Sequence, residues 1–123
     1  MLWALFSASC TYHSINGDLD GQWQLMNIEL PDGSQNNPKN AYLCIYMHTV
    51  NLTSPNHPTA TANMVYDKIS RTLNLEFPYK KDLSFWGLPE APCTVTFDII
   101  SLNKQNLVMT LQPDGAIFTF RKF

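Results

Sequence analysis

The chain has 123 residues, of which 45% are hydrophobic and only 15% carry a charge. This length favours a single domain with one hydrophobic core. The net charge of -2 offers no basic face for nucleic acid, and no apolar run reaches the roughly 18 residues of a membrane-spanning helix.

The N-terminus has the pattern of an export signal. Its apolar start, MLWALFSASC, ends in two small residues and Cys10. This is typical of a short bacterial signal that closes on a lipobox, whose cysteine thiol receives a diacylglyceryl group. The segment has no basic residue, and its apolar part is shorter than that of a complete export signal. The alternative interpretation is therefore the start of an ordinary buried strand or helix that ends in cysteine. The lipobox predicts a signal and polar tether over residues 1–18 and a folded domain over residues 19–123.

A lipid on Cys10 would anchor the protein in the bacterial cell envelope. The residues that follow Cys10 are not acidic until Asp18, so we expect the outer membrane, facing the periplasm, rather than the cell surface. Contact with the membrane is then expected through the lipid alone.

Short alternating segments separated by turn residues follow the tether. We expect strands over residues 22–30, 41–52, 59–66, 71–77, 94–101, 106–112 and 116–122. A polar loop over residues 31–40 and an apolar, proline-containing segment over residues 78–92 interrupt the pattern. Seven or eight short strands without a long helix predict an all-β fold, either a sandwich or a closed antiparallel barrel. A closed barrel would leave no exposed strand edge.

The cysteines and histidines form no motif for metal binding or catalysis. Cys44 and Cys93 lie in strand-like runs, and we expect two buried free thiols; a disulfide would require adjacent strands. Without a Cys-x-x-Cys or a cluster of histidines, we expect no metal and no cofactor. Ser84 has no nucleophile motif around it. We therefore expect no enzyme activity; the enzyme alternative would require a buried polar pair, such as His48 with a carboxylate.

One motif links the two ends of the predicted domain. Leu19-x-Gly21-x-Trp23 opens the first strand, and Arg121 lies in the last. The motif resembles the lipocalin signature, and the segments LDGQWQLMNI, DLSFWGL and LVMTLQPDGAIFTFRKF are similar to the lipocalin-like domains of Bacteroidetes lipoproteins. The resemblance implies an up-and-down barrel of about eight strands, closed at one end by Trp23 with Arg121 packed across the indole. The alternative places Trp23 in the core of another sandwich.

A barrel of this size either holds one small ligand or is filled by its own side chains. The side chains expected to line it would suit a small hydrophobic or amphipathic molecule: Tyr42, Tyr46, Met64, Tyr66, Leu75, Phe77, Phe97, Met109 and Phe118. Phe85 and Trp86 are expected at the rim, either as a lid or as a flap over one barrel end. The alternative function is a solid barrel that binds a protein partner through its loops, for example as a hydrolase inhibitor. A cavity of about 300 Å³ or more would favour the ligand.

Overall fold

Nine strands run through residues 15–123, the part of the chain that the computed structural model describes. Their bounds are β1 Gly21–Glu29, β2 Gln35–Asn36, β3 Tyr42–Tyr46, β4 Thr49–Ser54, β5 His57–Asp67, β6 Thr72–Lys81, β7 Ala91–Leu102, β8 Asn106–Leu111 and β9 Ile117–Lys122. Two 3₁₀ turns, Gly17–Leu19 and Ser84–Trp86, are the helical elements of this range. No helix within it is long and apolar enough to cross a bilayer. Cys10 lies outside the described residues.

Eight of these strands form a closed antiparallel barrel. They follow one another as β1-β3-β4-β5-β6-β7-β8-β9, and β9 pairs back onto β1. Short turns between consecutive strands produce this up-and-down order, because antiparallel neighbours need only a tight connection. The predicted all-β barrel is confirmed. The short strand β2 pairs with the C-terminal end of β1, at Ile28 and Glu29.

One predicted strand is in fact two. The segment expected to run over residues 41–52 turns back at Met47 and His48, so that β3 and β4 pair with each other. Met47 has a φ of 56°, a left-handed conformation that is uncommon for a residue other than glycine. No glycine, proline or asparagine marks the turn, which is why the sequence did not predict it.

Alternation along each strand places one set of side chains inside the barrel. On β9, Phe118 and Phe120 are buried, while Ile117 and Thr119, which alternate with them, are only half-buried. The same period of two runs along β6, where Leu73, Leu75 and Phe77 point inward. The barrel interior is therefore one continuous hydrophobic core.

Candidate functional site

The closed end of the barrel is sealed by Trp23. Its side chain is 0% exposed, and its indole Nε1 donates a hydrogen bond of 2.9 Å to the carbonyl oxygen of Leu19. Leu19 is the last residue of the 3₁₀ turn Gly17–Leu19, and its side chain is also fully buried. This is the position that the Gly-x-Trp motif predicts.

The cation on this indole is Lys122 and not Arg121. The Nζ of Lys122 lies 4.3 Å from the ring centroid of Trp23, and it donates to the carbonyl oxygens of Asp20 at 2.6 Å and Asp18 at 3.3 Å. Burial lowers the pKa of Lys122, and the carboxylates of Asp18 and Asp20 oppose that shift. The prediction that Arg121 packs across the indole is wrong.

Strand alternation explains the exchange. Lys122 shares the inward face of β9 with Phe118 and Phe120, whereas Arg121 lies on the outer face. Arg121 is exposed there, and its Nε donates to the Oε1 of Gln24 at 3.1 Å. Gly21 leaves room for the lysine, because a Cβ at this position would lie 2.9 Å from the Nζ of Lys122.

Asn16 ties the chain entering the barrel to the β3–β4 turn. It is 7% exposed, and its Nδ2 donates to the Oδ1 of Asp20 at 2.6 Å and to the carbonyl oxygen of Met47 at 2.9 Å. Asn16, which the sequence analysis placed in the tether, is thus already part of the barrel's closed end.

Most of the predicted lining residues lie inside the barrel. Six of them are buried in the core: Met64, Leu75, Phe77, Phe97, Met109 and Phe118. Tyr66 is half-buried against the core. Tyr42 is half-buried and packs edge to face on Phe123, with 4.9 Å between the ring centroids. Tyr46 is 62% exposed, so its prediction as a lining residue is wrong; Leu43 and Ile45 occupy the inward positions of β3.

A small apolar cavity lies in the interior of the barrel. Its volume is about 20 Å³, and its walls are Leu25, Tyr42, Leu43, Leu52, Leu75, Trp86, Leu88, Phe97, Met109, Phe118 and Phe120. A single water needs about 10–15 Å³, whereas pockets for small molecules start near 300 Å³. In this conformation side chains fill the barrel.

The segment between β6 and β7, residues 82–90, covers the end of the barrel opposite Trp23. We call it the lid. Its side chains Leu83, Trp86 and Leu88 are buried, and Trp86 and Leu88 form part of the cavity wall. Phe85 lies outside the cavity and stacks on His57 of β5, with 4.0 Å between the ring centroids. Of the two predicted rim residues, Trp86 is therefore the plug and Phe85 the outer contact.

The hydrogen bonds of the lid stay within residues 82–93. Trp86 donates from its backbone to Leu83, Gly87 to Ser84, and Ser84 to the Oδ1 of Asp82. The bonds from Ser84 lower the pKa of Asp82. The indole Nε1 of Trp86 is buried and has no acceptor among residues 15–123. The Sγ of Cys93 in β7 donates to the carbonyl oxygen of Pro89 in the lid at 3.6 Å. Apolar and ring contacts are the other interactions that hold the lid on the barrel.

Gly87 lets the lid backbone approach the core. Its φ is 76°, and a Cβ there would lie 2.7 Å from the Cδ1 of Ile28 and 3.3 Å from the Cζ of Phe118. Any larger residue would meet both strain and collision at this point. The glycine thus sets how deeply the lid can sit.

A cleft opens in the barrel wall beside the lid. It lies between β5 and β6, has a volume of about 320 Å³, and is lined by Thr59, Ala60, Thr61, Phe77, Tyr79 and Lys81. The sequence did not predict this cleft. It depends on where two strands stop pairing, and no local pattern reports that.

Two further predictions concern cysteines and histidines. Cys44 and Cys93 are free thiols, as expected, although half-buried rather than buried, and burial raises the pKa of both. His48 and His57 are exposed. Within residues 15–123 no three side chains among His, Cys, Asp and Glu are grouped so that they could hold a metal ion.

An eight-stranded up-and-down barrel that is sealed at one end by the indole of a Gly-x-Trp motif defines a lipocalin-like protein. The family model of the lipocalin-like domain matches residues 4–123, and the chain belongs to this family.

Two solved structures share the fold. One is a lipocalin-like protein from Bacteroides uniformis ATCC 8492, with 22% identity and a TM-score of 0.70 over 87% of this chain and 100% of that one. The other is an uncharacterized protein from Bacteroides eggerthii DSM 20697, with 15% identity and a TM-score of 0.62 over 85% of this chain and 98% of that one. A comparison with curated proteins found no match.

Proposed function

We propose that this protein binds a small hydrophobic or amphipathic molecule at the lid end of its barrel. The observation that carries the proposal is the apolar cavity beneath a lid whose hydrogen bond to a barrel strand, among residues 15–123, is the long one of 3.6 Å from the Sγ of Cys93 to the carbonyl oxygen of Pro89. A cavity of about 20 Å³ is too small for such a ligand, so binding requires Trp86 and Leu88 to move outward. The space that these two side chains leave is the proposed binding site.

The cost of opening limits the affinity. Exposing Trp86 and Leu88, which are 3% and 8% exposed, costs about 5 kcal/mol at the usual value per area of apolar surface. A ligand that covers the same surface regains this free energy. Because the open state is rare without ligand, the apparent affinity is reduced by the fraction of molecules that are open.

Fluorescence of the neutral probe N-phenyl-1-naphthylamine tests the proposal. We expect Trp86→Ala to bind the probe at least about ten-fold more tightly than the wild type, because the plug and much of the opening cost are gone. Val65→Ala is the matched control, since Val65 is 64% exposed on the barrel's outer face; its affinity should not change. Native mass spectrometry of protein purified from the envelope should show added mass. A folded Trp86→Ala that binds no probe would contradict the proposal.

We also propose that the protein is an envelope lipoprotein, anchored through Cys10 in the outer membrane and facing the periplasm. The apolar run that ends in small residues before Cys10 supports this. Metabolic labelling with a fatty acid tests it: Cys10→Ala should lose the label, and Cys44→Ala should keep it. Label retained by Cys10→Ala would reject the anchor, and protease cleavage on intact cells would reject the periplasmic orientation.

A module that binds a protein partner is the second candidate function, and no enzyme activity is proposed for either. The filled interior favours this candidate, because a barrel with about 20 Å³ of empty space is a rigid scaffold for loops. The loop over residues 31–40 is the exposed candidate surface, and it is held to β1 where Asn37 donates to Met26 and Asn27. Absence of ligand mass together with failed probe binding by Trp86→Ala would favour this function.

A further inference from the structure

The barrel is open between β5 and β6 at its lid end. The pairing of these strands runs from Asp67 and Thr72 only as far as Asn63 and Glu76. Beyond that point β5 continues to His57 along β4, and β6 continues to Lys81 along β7. The two strands thus part and leave the cleft of about 320 Å³ between them.

The floor of the cleft belongs to the hydrophobic core. Ala60 and Phe77 line it and are 1% and 2% exposed. Ala60 pairs with Leu52 across β4 and β5, and Phe77 follows Leu75 on the inward face of β6. Leu52 and Leu75 are walls of the small cavity. The cleft and the cavity beneath the lid are therefore separated by one layer of side chains.

The rim of the cleft is polar and carries a cation. Thr59 and Tyr79 supply hydroxyl groups and Lys81 supplies an ammonium group, while the hydroxyl group of Thr61 already donates to the Oδ1 of Asn51 at 2.7 Å. Lys81 is half-buried, and no carboxylate within residues 15–123 forms an ion pair with it. It is also the last residue before the lid. An apolar floor next to a cation that pairs with no carboxylate of the described chain is complementary to a molecule with an apolar chain and an anionic head.

The free strand edges are poorly suited to another β-strand. Pro58 lies in β5 and Pro78 in β6, each in the part that faces the cleft without pairing. Proline has no N–H to donate, and it is one of the devices that protect sheet edges from additional strands. The opening therefore favours a small molecule over an extended peptide.

We propose that the cleft is the entrance and the headgroup site for a single-chain anionic amphiphile. Its anionic head lies against the Nζ of Lys81, within reach of the hydroxyl groups at the rim, and its chain passes over Ala60. A shift of Phe77 then admits the chain to the space beneath the lid. This inference rests on the proposed function, to which it adds the charge of the ligand and its route of entry.

Three amphiphiles of equal chain length, used below their micelle concentrations, test the proposal. Dodecanoate is anionic, dodecanol is neutral and dodecyltrimethylammonium is cationic; isothermal titration calorimetry measures each affinity. We expect the wild type to bind dodecanoate about ten-fold more tightly than dodecanol, and the cation most weakly. Lys81→Met should remove the preference for the anion, and Lys81→Arg should retain it. Lys104→Met, an exposed lysine in the turn between β7 and β8, is the control that should behave as wild type.

The outcomes separate this inference from the function on which it rests. If all three amphiphiles bind equally well, or if Lys81→Met keeps the full preference for the anion, the headgroup site is wrong while ligand binding stands. If none of them binds to the wild type or to Trp86→Ala, both proposals fail. Preference for the anion that is lost in Lys81→Met and kept in Lys81→Arg supports the assignment.

Discussion

Replacing Lys122 by methionine should destabilise the barrel at its closed end. Methionine retains an unbranched apolar stem that can cover Trp23, so the change removes mainly the ammonium group. That group lies 4.3 Å from the indole centroid and donates to the carbonyl oxygens of Asp20 and Asp18. The matched control is Arg121→Met, the neighbouring cation on the outer face of the same strand.

The magnitude follows from these contacts. A cation on an aromatic face contributes about 0.5–2 kcal/mol, depending on how far it is desolvated. A hydrogen bond from a charged group contributes about 1.5–3 kcal/mol when it is shielded from water. Lys122 is only half-buried, so water partly replaces both bonds, and we expect a net loss of about 1–2 kcal/mol. Arg121 is exposed, and its replacement should change stability by less than about 0.5 kcal/mol.

Thermal unfolding followed by circular dichroism measures the difference. For a domain of this size, about 1 kcal/mol corresponds to about 4–8 °C in Tm, so Lys122→Met should unfold at least about 2 °C below Arg121→Met. Urea titration gives the free energies of unfolding independently. Equal losses in the two variants, or a larger loss for Arg121→Met, would refute the account of how the closed end is sealed.

The other predictions concern the core, the lid and the thiols. Trp23→Ala should lower the free energy of unfolding by about 3–5 kcal/mol in urea titration, and a loss below about 1 kcal/mol would contradict its place at the barrel's closed end. Gly87→Ala should lower the Tm more than Gly33→Ala, because both glycines have positive φ but only Gly87 has core atoms within 4 Å of a Cβ; equal losses would show that the lid does not press on the core. Burial raises the pKa of Cys44 and Cys93, so a smaller fraction of each thiol is thiolate at a given pH. Iodoacetamide should therefore alkylate these two cysteines more slowly than it alkylates the thiol of glutathione across the alkaline range. Mass spectrometry follows that reaction, and rates equal to those of glutathione would count against the burial.

Much of the barrel could be predicted because strand alternation is local. The pattern of Leu73, Leu75 and Phe77 on β6 identifies an inward face without knowledge of any neighbour. The hairpin between β5 and β6 and the last three strands follow from the same period and from the turn residues between them. The turn at Met47 could not be predicted, since its left-handed residue belongs to no turn-forming type.

The error at the closed end is one of register. Arg121 and Lys122 are adjacent cations, and a shift of one residue along a strand exchanges its two faces. The inward face of β9 could have been predicted from Phe118 and Phe120, which alternate in the sequence with the polar residues Thr119 and Arg121. The resemblance to lipocalins suggested an arginine, whereas the alternation within this chain points to Lys122.

The amino-acid sequence alone determined the class of fold and most of the residues that fill it, because apolar periodicity and turn chemistry act between residues close together in the chain. Tertiary structure alone decided that Trp86 and Leu88 plug the barrel and that β5 and β6 part beside Lys81. Both features depend on volumes and strand pairings between distant segments, since whether a barrel is filled or open is set by how all its walls meet.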